Sequence, residues 1–283
     1  MTNVETFSFW VAMVSIGLSA VLYWWQLVTT GKRETTVEAE KSLAKVRHRK
    51  ASYLALIIAG IGLVSLTLSI ATRAVITGHG PFSNMYEFVV AFSWGIVVMG
   101  LFFSWRYRTP LLNAVGLTIG LGMLVYAYTL PSRPIPLVPA LQQSLLLSTH
   151  VATAVIAYGT FAIGFGAAVL YLVQQRFALS WLPELKVLDD LSYHTVLIGF
   201  PFMTLVIVLG AVWADIAWGR PWGWDPKETA SLVTWLIYAS YLHVRLMRGW
   251  RSSKAIVLLI IGFIAVLFTF FGNYIFVGLH SYK

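Results

Sequence analysis

The stretch at residues 254–276 reads KAIVLLIIGFIAVLFTFFGNYIF, and it decides the fold class. An α-helix rises about 1.5 Å per residue, so ~20 mostly apolar residues are needed to cross the ~30 Å hydrocarbon core of a bilayer. This run has that length and carries its single charged residue, Lys254, at the start. We therefore interpret it as a membrane-spanning helix.

The rest of the chain repeats this pattern. Hydrophobic residues make up 58% of the 283 positions and charged residues only 11%, which is too apolar for a water-soluble domain of this size. We therefore predict an all-α polytopic membrane protein with about eight transmembrane helices. No sequence period of 20–50 residues repeats, so we expect a single domain over 1–283, with its first run retained as a span rather than removed as a signal peptide. The eight apolar runs lie near residues 6–28, 51–77, 84–104, 111–130, 142–175, 193–213, 228–248 and 254–276.

The basic residues predict how the helices are oriented. If successive spans alternate in direction, fifteen of the twenty Lys and Arg residues fall on one side. Basic loops of membrane proteins stay in the cytoplasm, so we expect both termini on the periplasmic or lumenal side of a bacterial inner membrane or a thylakoid membrane. The net charge of +9 is explained in this way, without a nucleic-acid partner. The fifteen are Lys32, Arg33, Lys41, Lys45, Arg47, Arg49, Lys50, Arg106, Arg108, Arg176, Lys186, Arg245, Arg248, Arg251 and Lys254.

The chain contains no cysteine. It can therefore form no disulfide, bind no metal through thiolate and carry no electrons through thiols. Any thiol chemistry belongs to a substrate or to thiol-reducing proteins that act indirectly.

A tryptophan-rich segment at 213–229, WADIAWGRPWGWDPKET, separates the sixth and seventh spans. We expect it to form a loop on the outer side, and we call it the tryptophan segment. Tryptophans also gather in the aromatic belts of membrane proteins, which is the simpler explanation. Glycine and proline interrupt the segment, however, so it can present flat aromatic faces to a large planar apolar ligand. Its four tryptophans are Trp213, Trp218, Trp222 and Trp224.

The end of this segment resembles a helix start. Asp225 can cap the seventh helix, Pro226 suits the first helical position, and Glu228 stands where a capping box has its second carboxylate. We therefore predict that Asp225 and Glu228 position the loop and that neither is an acid or base catalyst.

The stretch from Trp218 to Thr229 resembles the tryptophan-rich "WWD" signature of the haem-handling proteins of cytochrome c biogenesis. Further motifs follow in the order that is typical of the CcsA/ResC branch of this group, which acts in the Ccs (System II) pathway. They are GHGPFSNMYEF at 78–88, LVPALQ at 137–142 leading to His150, GFP at 199–201, YLH at 241–243 and GLHSY at 278–282.

Histidines in or beside membrane spans usually mark polar sites. Counting outward from Arg176 places His150 near the outer interface, and His280 follows the eighth span on the same side. Imidazoles from two helices at one depth can ligate haem iron from both faces. The resemblance implies this axial role for His150 and His280, beside the tryptophan segment.

His243 lies toward the inner end of the seventh span. On the residues alone, a lone imidazole there is more often structural than a ligand. The resemblance implies a second haem site within the membrane, with His243 as one ligand and the other from a ResB/CcsB-like partner subunit. We expect His194 to lie at the inner interface and His79 to serve its own loop.

The propionates of haem are anionic, so a nearby cation would favour binding. Arg220 lies within the tryptophan segment and is the preferred candidate, ahead of Arg73, Arg133 and Lys227. A lipid headgroup would explain an outer basic residue equally well. The expected haem-binding set is His150, His280, His243, Trp213, Trp218, Trp222, Trp224, Asp225 and Arg220, with the three histidines on iron and no catalytic residue.

The resemblance implies that the protein exports or presents haem b, as a bound substrate, and attaches it to the C-x-x-C-H motif of apocytochrome c. It would act with the ResB/CcsB-like subunit as one component of a cytochrome c synthase complex. Two alternatives stay open: a protein that only exports haem, and a haem-bearing membrane protein that transfers electrons.

Overall fold

The computed structural model describes residues 3–31, 38–80, 82–134, 144–249 and 253–275. All regular secondary structure within these ranges is helical, which confirms the predicted all-α fold. Seven of the eight described helices are long and apolar enough to cross a membrane. The helices are α1 (Asn3–Gly31), α2 (Glu38–Thr77), α3 (Met85–Tyr107), α4 (Pro110–Tyr128), α5 (Ser144–Phe177), α6 (Leu185–Trp218), α7 (Pro226–Arg248) and α8 (Ser253–Ile275).

Helix α7 is the exception. Its 23 residues give it the length of a span, but its polar side chains keep it below the apolarity of the other seven. It packs against both α6 and α8, so these neighbours shield part of its surface. The polar content of α7 is concentrated at its two ends, with Lys227 and Glu228 in the first turns and His243 and Arg245 near the last.

The expected bounds of the sixth span were wrong, because helix α6 covers Leu185–Trp218 rather than 193–213. The second span was expected at 51–77, and the apolar part of α2 is Lys50–Thr77, although the helix itself begins at Glu38. Apolarity alone located these spans, but a helix continues through polar residues until something ends it. In α6 that stop is Gly219, whose left-handed backbone (φ 71°) caps the helix through a bond from its N–H to the Asp215 carbonyl.

Glycines let α3 approach its neighbours closely. A Cβ on Gly159 of α5 would lie 2.9 Å from the backbone of Gly95, and one on Gly116 of α4 would lie 2.8 Å from the Cα of Gly100. Neither contact leaves room for a side chain. Small residues at crossings are typical of membrane helices, because close backbone packing replaces the hydrophobic effect as the source of association.

Three indole N–H groups bond threonine hydroxyls on neighbouring helices. Trp24 donates to Thr118 at 2.8 Å, which joins α1 to α4. Trp94 and Trp235 make the equivalent bonds between α3 and α2 and between α7 and α6, at 2.8 and 2.9 Å. In an apolar medium each polar group needs an internal partner, so these bonds satisfy the indoles and fix helix register.

A buried ion-pair cluster joins four segments at one end of the bundle. Arg73 of α2 donates to Glu5 of α1 at 3.1 Å, to Glu87 of α3 at 2.9 Å and to the Ser132 carbonyl after α4 at 2.6 Å. These contacts place the connections after α2 and α4 together. We call this the loop end, defined by residues 78–80, 82–84, 129–134 and 219–225.

A second buried ion pair lies at the opposite end. There Arg245 of α7 donates to both carboxylate oxygens of Asp189 in α6, at 2.9 and 2.7 Å. This pair explains why α6 begins earlier than apolarity predicted, because the partner on α7 makes a buried aspartate tolerable. The two ends are therefore each fastened by charged groups, with apolar packing between them.

Candidate functional site

An open cleft lies at the loop end of the bundle. It encloses about 1370 Å³ of empty space, counting the part that opens to the outside. Helices α3, α5, α6, α7 and α8 line it together with the connection after α6. The residues that matter most for its chemistry are Phe88, Phe92, His150, Tyr158, Trp213, Trp222 and Lys227.

His150 lies in the wall of this cleft. It occupies the second turn of α5, which begins at Ser144, so it is near the loop end as the sequence predicted. Its ring packs against the backbone of α6 at Gly210, where an added Cβ would lie 3.0 Å from the ring carbon Cε1. Gly210 therefore leaves the space that the imidazole occupies, and the ring is held between two helices.

Aromatic rings line much of the cleft. Phe92 of α3 stacks on Tyr158 of α5, with centroids 5.5 Å apart, and meets Phe270 of α8 edge-on at 4.8 Å. Rings from three helices thus form one continuous apolar surface, of the kind that a large flat ligand could contact.

The four tryptophans divide between a helix and a loop. Trp213 and Trp218 belong to the last turns of α6 and meet edge-to-face at 4.7 Å, so the prediction that they lie in a loop was wrong. The intervening residues, ADIA, contain no helix breaker, and the helix continues to Gly219. Only Trp222 and Trp224 lie in the loop proper, 219–225.

Burial separates the tryptophans further. Trp213 is 2% exposed and lines the cleft, whereas Trp224 is 69% exposed. Trp222, which also lines the cleft, meets Trp224 edge-to-face at 5.8 Å. Trp224 has a φ of 55°, a conformation that bulky residues rarely adopt. The loop therefore bends sharply at this position and directs one indole inward and one outward.

Asp225 and Glu228 form the predicted capping box. The Asp225 carboxylate accepts the backbone N–H of Lys227 at 2.9 Å. Glu228 accepts the backbone N–H groups of Asp225 at 3.1 Å and of Gly223 at 2.8 Å. Both carboxylates are buried and bonded to backbone, so they hold the loop in shape, as the sequence indicated.

The basic residues of the loop end lie in different environments. Arg220 is exposed, its guanidinium packs over Gly223, and it is not one of the residues that line the cleft. Arg133 is exposed, and Arg73 is bound to Glu5 and Glu87. Lys227, ranked below Arg220 from its position in the sequence, lines the cleft itself.

His79, His194 and His243 do not line this cleft. His280 lies outside the described residues, so its part in the site stays a prediction. His243 lies on α7 five residues before Arg248, on the exposed face of the helix. His194 packs against Tyr107 with ring centroids 5.2 Å apart, and its Nδ1–H donates to the Asp190 carbonyl at 2.7 Å.

His79 lies at the loop end but does not line the cleft. Its Nδ1–H donates to the Gly80 carbonyl at 2.7 Å, a bond within its own turn. This placement agrees with the expectation that it serves the loop. Throughout the described ranges, no group of three or more His, Asp or Glu side chains gathers in the arrangement of a bare metal-ion site.

Sequence reasoning did not identify the ion-pair cluster of Arg73. One signal was present, because Asn84 caps α3 by accepting the N–H of Glu87, which marks Glu87 as a residue of the first helical turn. Its pairing with an arginine on α2 depends on tertiary packing. The cluster matters for the site because it fixes α3, whose first turns form one wall of the cleft.

The model of the family described as "Cytochrome C assembly protein" matches residues 82–280. This range begins just before α3 and includes every element that lines the cleft. It also includes His280.

The chain is similar to several proteins named "Cytochrome c biogenesis protein CcsA". It is 36% identical to the one from Guillardia theta, over 78% of this chain and 83% of that protein. The protein from Prochlorococcus marinus subsp. pastoris is 35% identical over 85% of this chain and 87% of its own length. The Chlamydomonas reinhardtii protein is 37% identical over 80% and 67%.

Proposed function

Because the chain belongs to the cytochrome c assembly protein family and has a role in c-type cytochrome maturation, we propose that it holds haem in the cleft at the loop end. It presents this haem, as substrate, for attachment to apocytochrome c. It is an integral membrane protein, and its described helices supply a framework on which such a site can be held rigidly.

One observation carries this proposal: His150 lies in the wall of an apolar cleft that Trp213 and Trp222 also line. Haem needs an apolar space for its ring and an imidazole for its iron, since the porphyrin itself supplies the four equatorial nitrogens. The cleft offers both from side chains of this chain. Tryptophan rings suit the flat face or edge of the macrocycle.

The second axial ligand in this proposal is His280. Phe270 of α8 lines the cleft, so the chain leaves α8 at the loop end, and His280 follows five residues after Ile275. Ligation by two imidazoles saturates the iron and guards its redox state until transfer.

The attachment reaction requires little acid–base catalysis from the residues of the cleft. Each thiol of the C-x-x-C-H motif adds across a vinyl group, so one S–C bond forms and the thiol proton passes to the other vinyl carbon. Asp225 and Glu228 are engaged with backbone N–H groups, which agrees with a positioning role. The contribution of the protein is therefore to hold the two reactants in fixed orientation.

A second haem site at His243 belongs to the same proposal. This histidine is on the exposed face of α7, where the residues one helical turn apart are also exposed. A ligand site there needs a second side chain from another molecule, and we propose the ResB/CcsB-like subunit. Haem would pass from this inner site to the cleft.

The test is haem transfer by the purified full chain together with a ResB/CcsB-like subunit. A peptide with the C-x-x-C-H motif is added to the haem-loaded complex under reducing conditions, and a S-x-x-S-H peptide serves as the matched control. We expect covalent haem on the first peptide only, detected by mass and by an absorption spectrum that survives acid extraction.

Two other outcomes would favour the alternatives. Haem that is retained through repeated oxidation and reduction, without transfer to the peptide, would favour an electron-transfer protein. Haem that is released across a vesicle membrane but never attached would favour an exporter.

A further inference from the structure

We propose that Lys227 binds the carboxylate groups of the ligand in the cleft, and so determines which edge of the macrocycle enters first. This inference rests on the proposed function, because it concerns haem in the same cleft. From position in the sequence, Arg220 was the preferred residue to bind the propionates. The inference assigns that role to Lys227 instead.

The environment of Lys227 supports this role. It lies in the first turn of α7, where Asp225 fixes its backbone, and it lines the cleft. Its ammonium nitrogen lies 5.5 Å from the centroid of the Phe88 ring on α3. Within the described ranges, no Asp or Glu oxygen lies within 4.0 Å of this nitrogen, whereas Arg73 and Arg245 both have such partners.

Two acidic residues lie beside Lys227: Asp225, whose charge acts on the lysine and whose carboxylate accepts the Lys227 backbone N–H, and Glu228. Glu228 also lines the cleft, but its Oε2 accepts the N–H groups of Gly223 and Asp225. The cleft wall therefore presents a cation beside an aromatic ring, together with a carboxylate that is already bonded. A cation at the edge of an apolar surface is complementary to an amphipathic ligand that carries an anion at one edge.

This arrangement orients the ligand. The propionate edge of haem faces the first turns of α3 and α7, where Phe88 and Lys227 meet. The vinyl groups, on the other side of the macrocycle, then face away from these turns. Orientation matters because a thiol must reach a vinyl carbon, not a propionate, and a fixed carboxylate contact distinguishes the two edges.

The experiment compares haem with its dimethyl ester, in which the propionates carry no charge. The full chain and three variants, Lys227→Gln, Lys227→Arg and Arg220→Gln, are titrated with both porphyrins in detergent. We expect the unmodified chain to bind haem roughly tenfold more tightly than the ester, as is typical of one charge-assisted contact.

The variants distinguish the contribution of Lys227 from that of Arg220. Lys227→Gln should bind the ester as the unmodified chain does, but it should lose the preference for free haem. Lys227→Arg and Arg220→Gln should keep that preference. Equal binding of the ester by all four proteins would show that the cleft is intact.

Four outcomes would overturn the inference. Equal binding of haem and ester by the unmodified chain would overturn this inference but not the proposed function. A preference for haem that survives Lys227→Gln would do the same. Loss of ester binding in Lys227→Gln would mean that the lysine shapes the cleft instead. Failure of the unmodified chain to bind either porphyrin would overturn the proposed function as well.

Discussion

His150 and His243 are both histidines near the end of a helix, yet the fold places them in different settings. His150 lies in a cleft that five helices line, with its ring against Gly210. His243 lies on the exposed face of one helix, α7, near the opposite end of the bundle. In our proposal the first site is largely built by this chain, whereas the second needs a partner to complete it.

The comparison shows that the environment of a histidine depends less on its own helix than on the elements that pack opposite it. Within α7, residues at positions 233, 236, 240, 243 and 247 are all exposed, which is the spacing of one helix face. Ser240 and His243 add two polar groups to this face, whose other three residues, Val233, Leu236 and Met247, are apolar. A partner helix would give these groups the contacts that lipid does not offer.

The largest expected effect is that of His150→Ala. Removing an axial ligand should change the haem spectrum of the purified chain and reduce cytochrome c maturation to background. Added imidazole should restore part of both, because it can occupy the vacant coordination position. The matched control is His194→Ala, whose ring packs on Tyr107 away from the cleft. An unchanged spectrum in His150→Ala would remove this residue from the iron.

The next effect, that of His243→Ala, is expected to depend on whether the partner subunit is present. His243→Ala should leave the haem spectrum of the isolated chain unchanged, since the inner site needs a ligand from another subunit. In the complex with a ResB/CcsB-like subunit, the same change should lower haem content and maturation severalfold. Spectra of the variant with and without the partner make the comparison. A spectral change in the isolated chain would contradict the idea that this site is incomplete.

A smaller effect is expected at Gly210, which lines the cleft and where the atoms nearest to an added Cβ belong to the His150 ring. Gly210→Ala adds a methyl group 3.0 Å from the imidazole Cε1, and such overpacking costs ~1–3 kcal/mol. We expect haem affinity to fall about tenfold. The control is Gly122→Ala in α4, where an added Cβ meets nothing within 4 Å. Equal affinities in both variants would show that the ring does not depend on this space.

The last two substitutions compare the two loop tryptophans, Trp222 and Trp224. Trp222 lines the cleft, so Trp222→Ala should weaken haem retention about tenfold, as loss of one aromatic contact and its buried area suggests. Trp224 is exposed, and Trp224→Ala should weaken retention only about twofold, through its contact with Trp222. Haem retention after gel filtration measures both. The reverse order would place the ligand outside the cleft.

The sequence predicted much of the fold, because apolar length and capping residues are local properties. The eight described helices and the capping box of Asp225 with Glu228 were predicted correctly, and His150 lies near the end of α5 that is close to the tryptophan segment. Its place on the outer side of the membrane stays a prediction. The prediction was wrong for the end of α6, since apolarity declines before the helix stops at Gly219.

The remainder depends on contacts between helices that are distant in sequence. Arg73 and Lys227 are both basic residues near the loop end, and nothing local distinguishes them. Packing with α1 and α3 gives Arg73 two carboxylate partners, whereas the capped start of α7 brings Lys227 to the cleft. Which cation can meet a ligand is therefore a property of the fold rather than of any motif.

The most direct test is a density map of the haem-loaded full chain in complex with its ResB/CcsB-like subunit. We predict a macrocycle inside the cleft, with its iron bonded to an imidazole nitrogen of His150 and with Trp222 against the ring. A macrocycle outside the cleft, or an iron whose ligands do not include His150, would contradict the account.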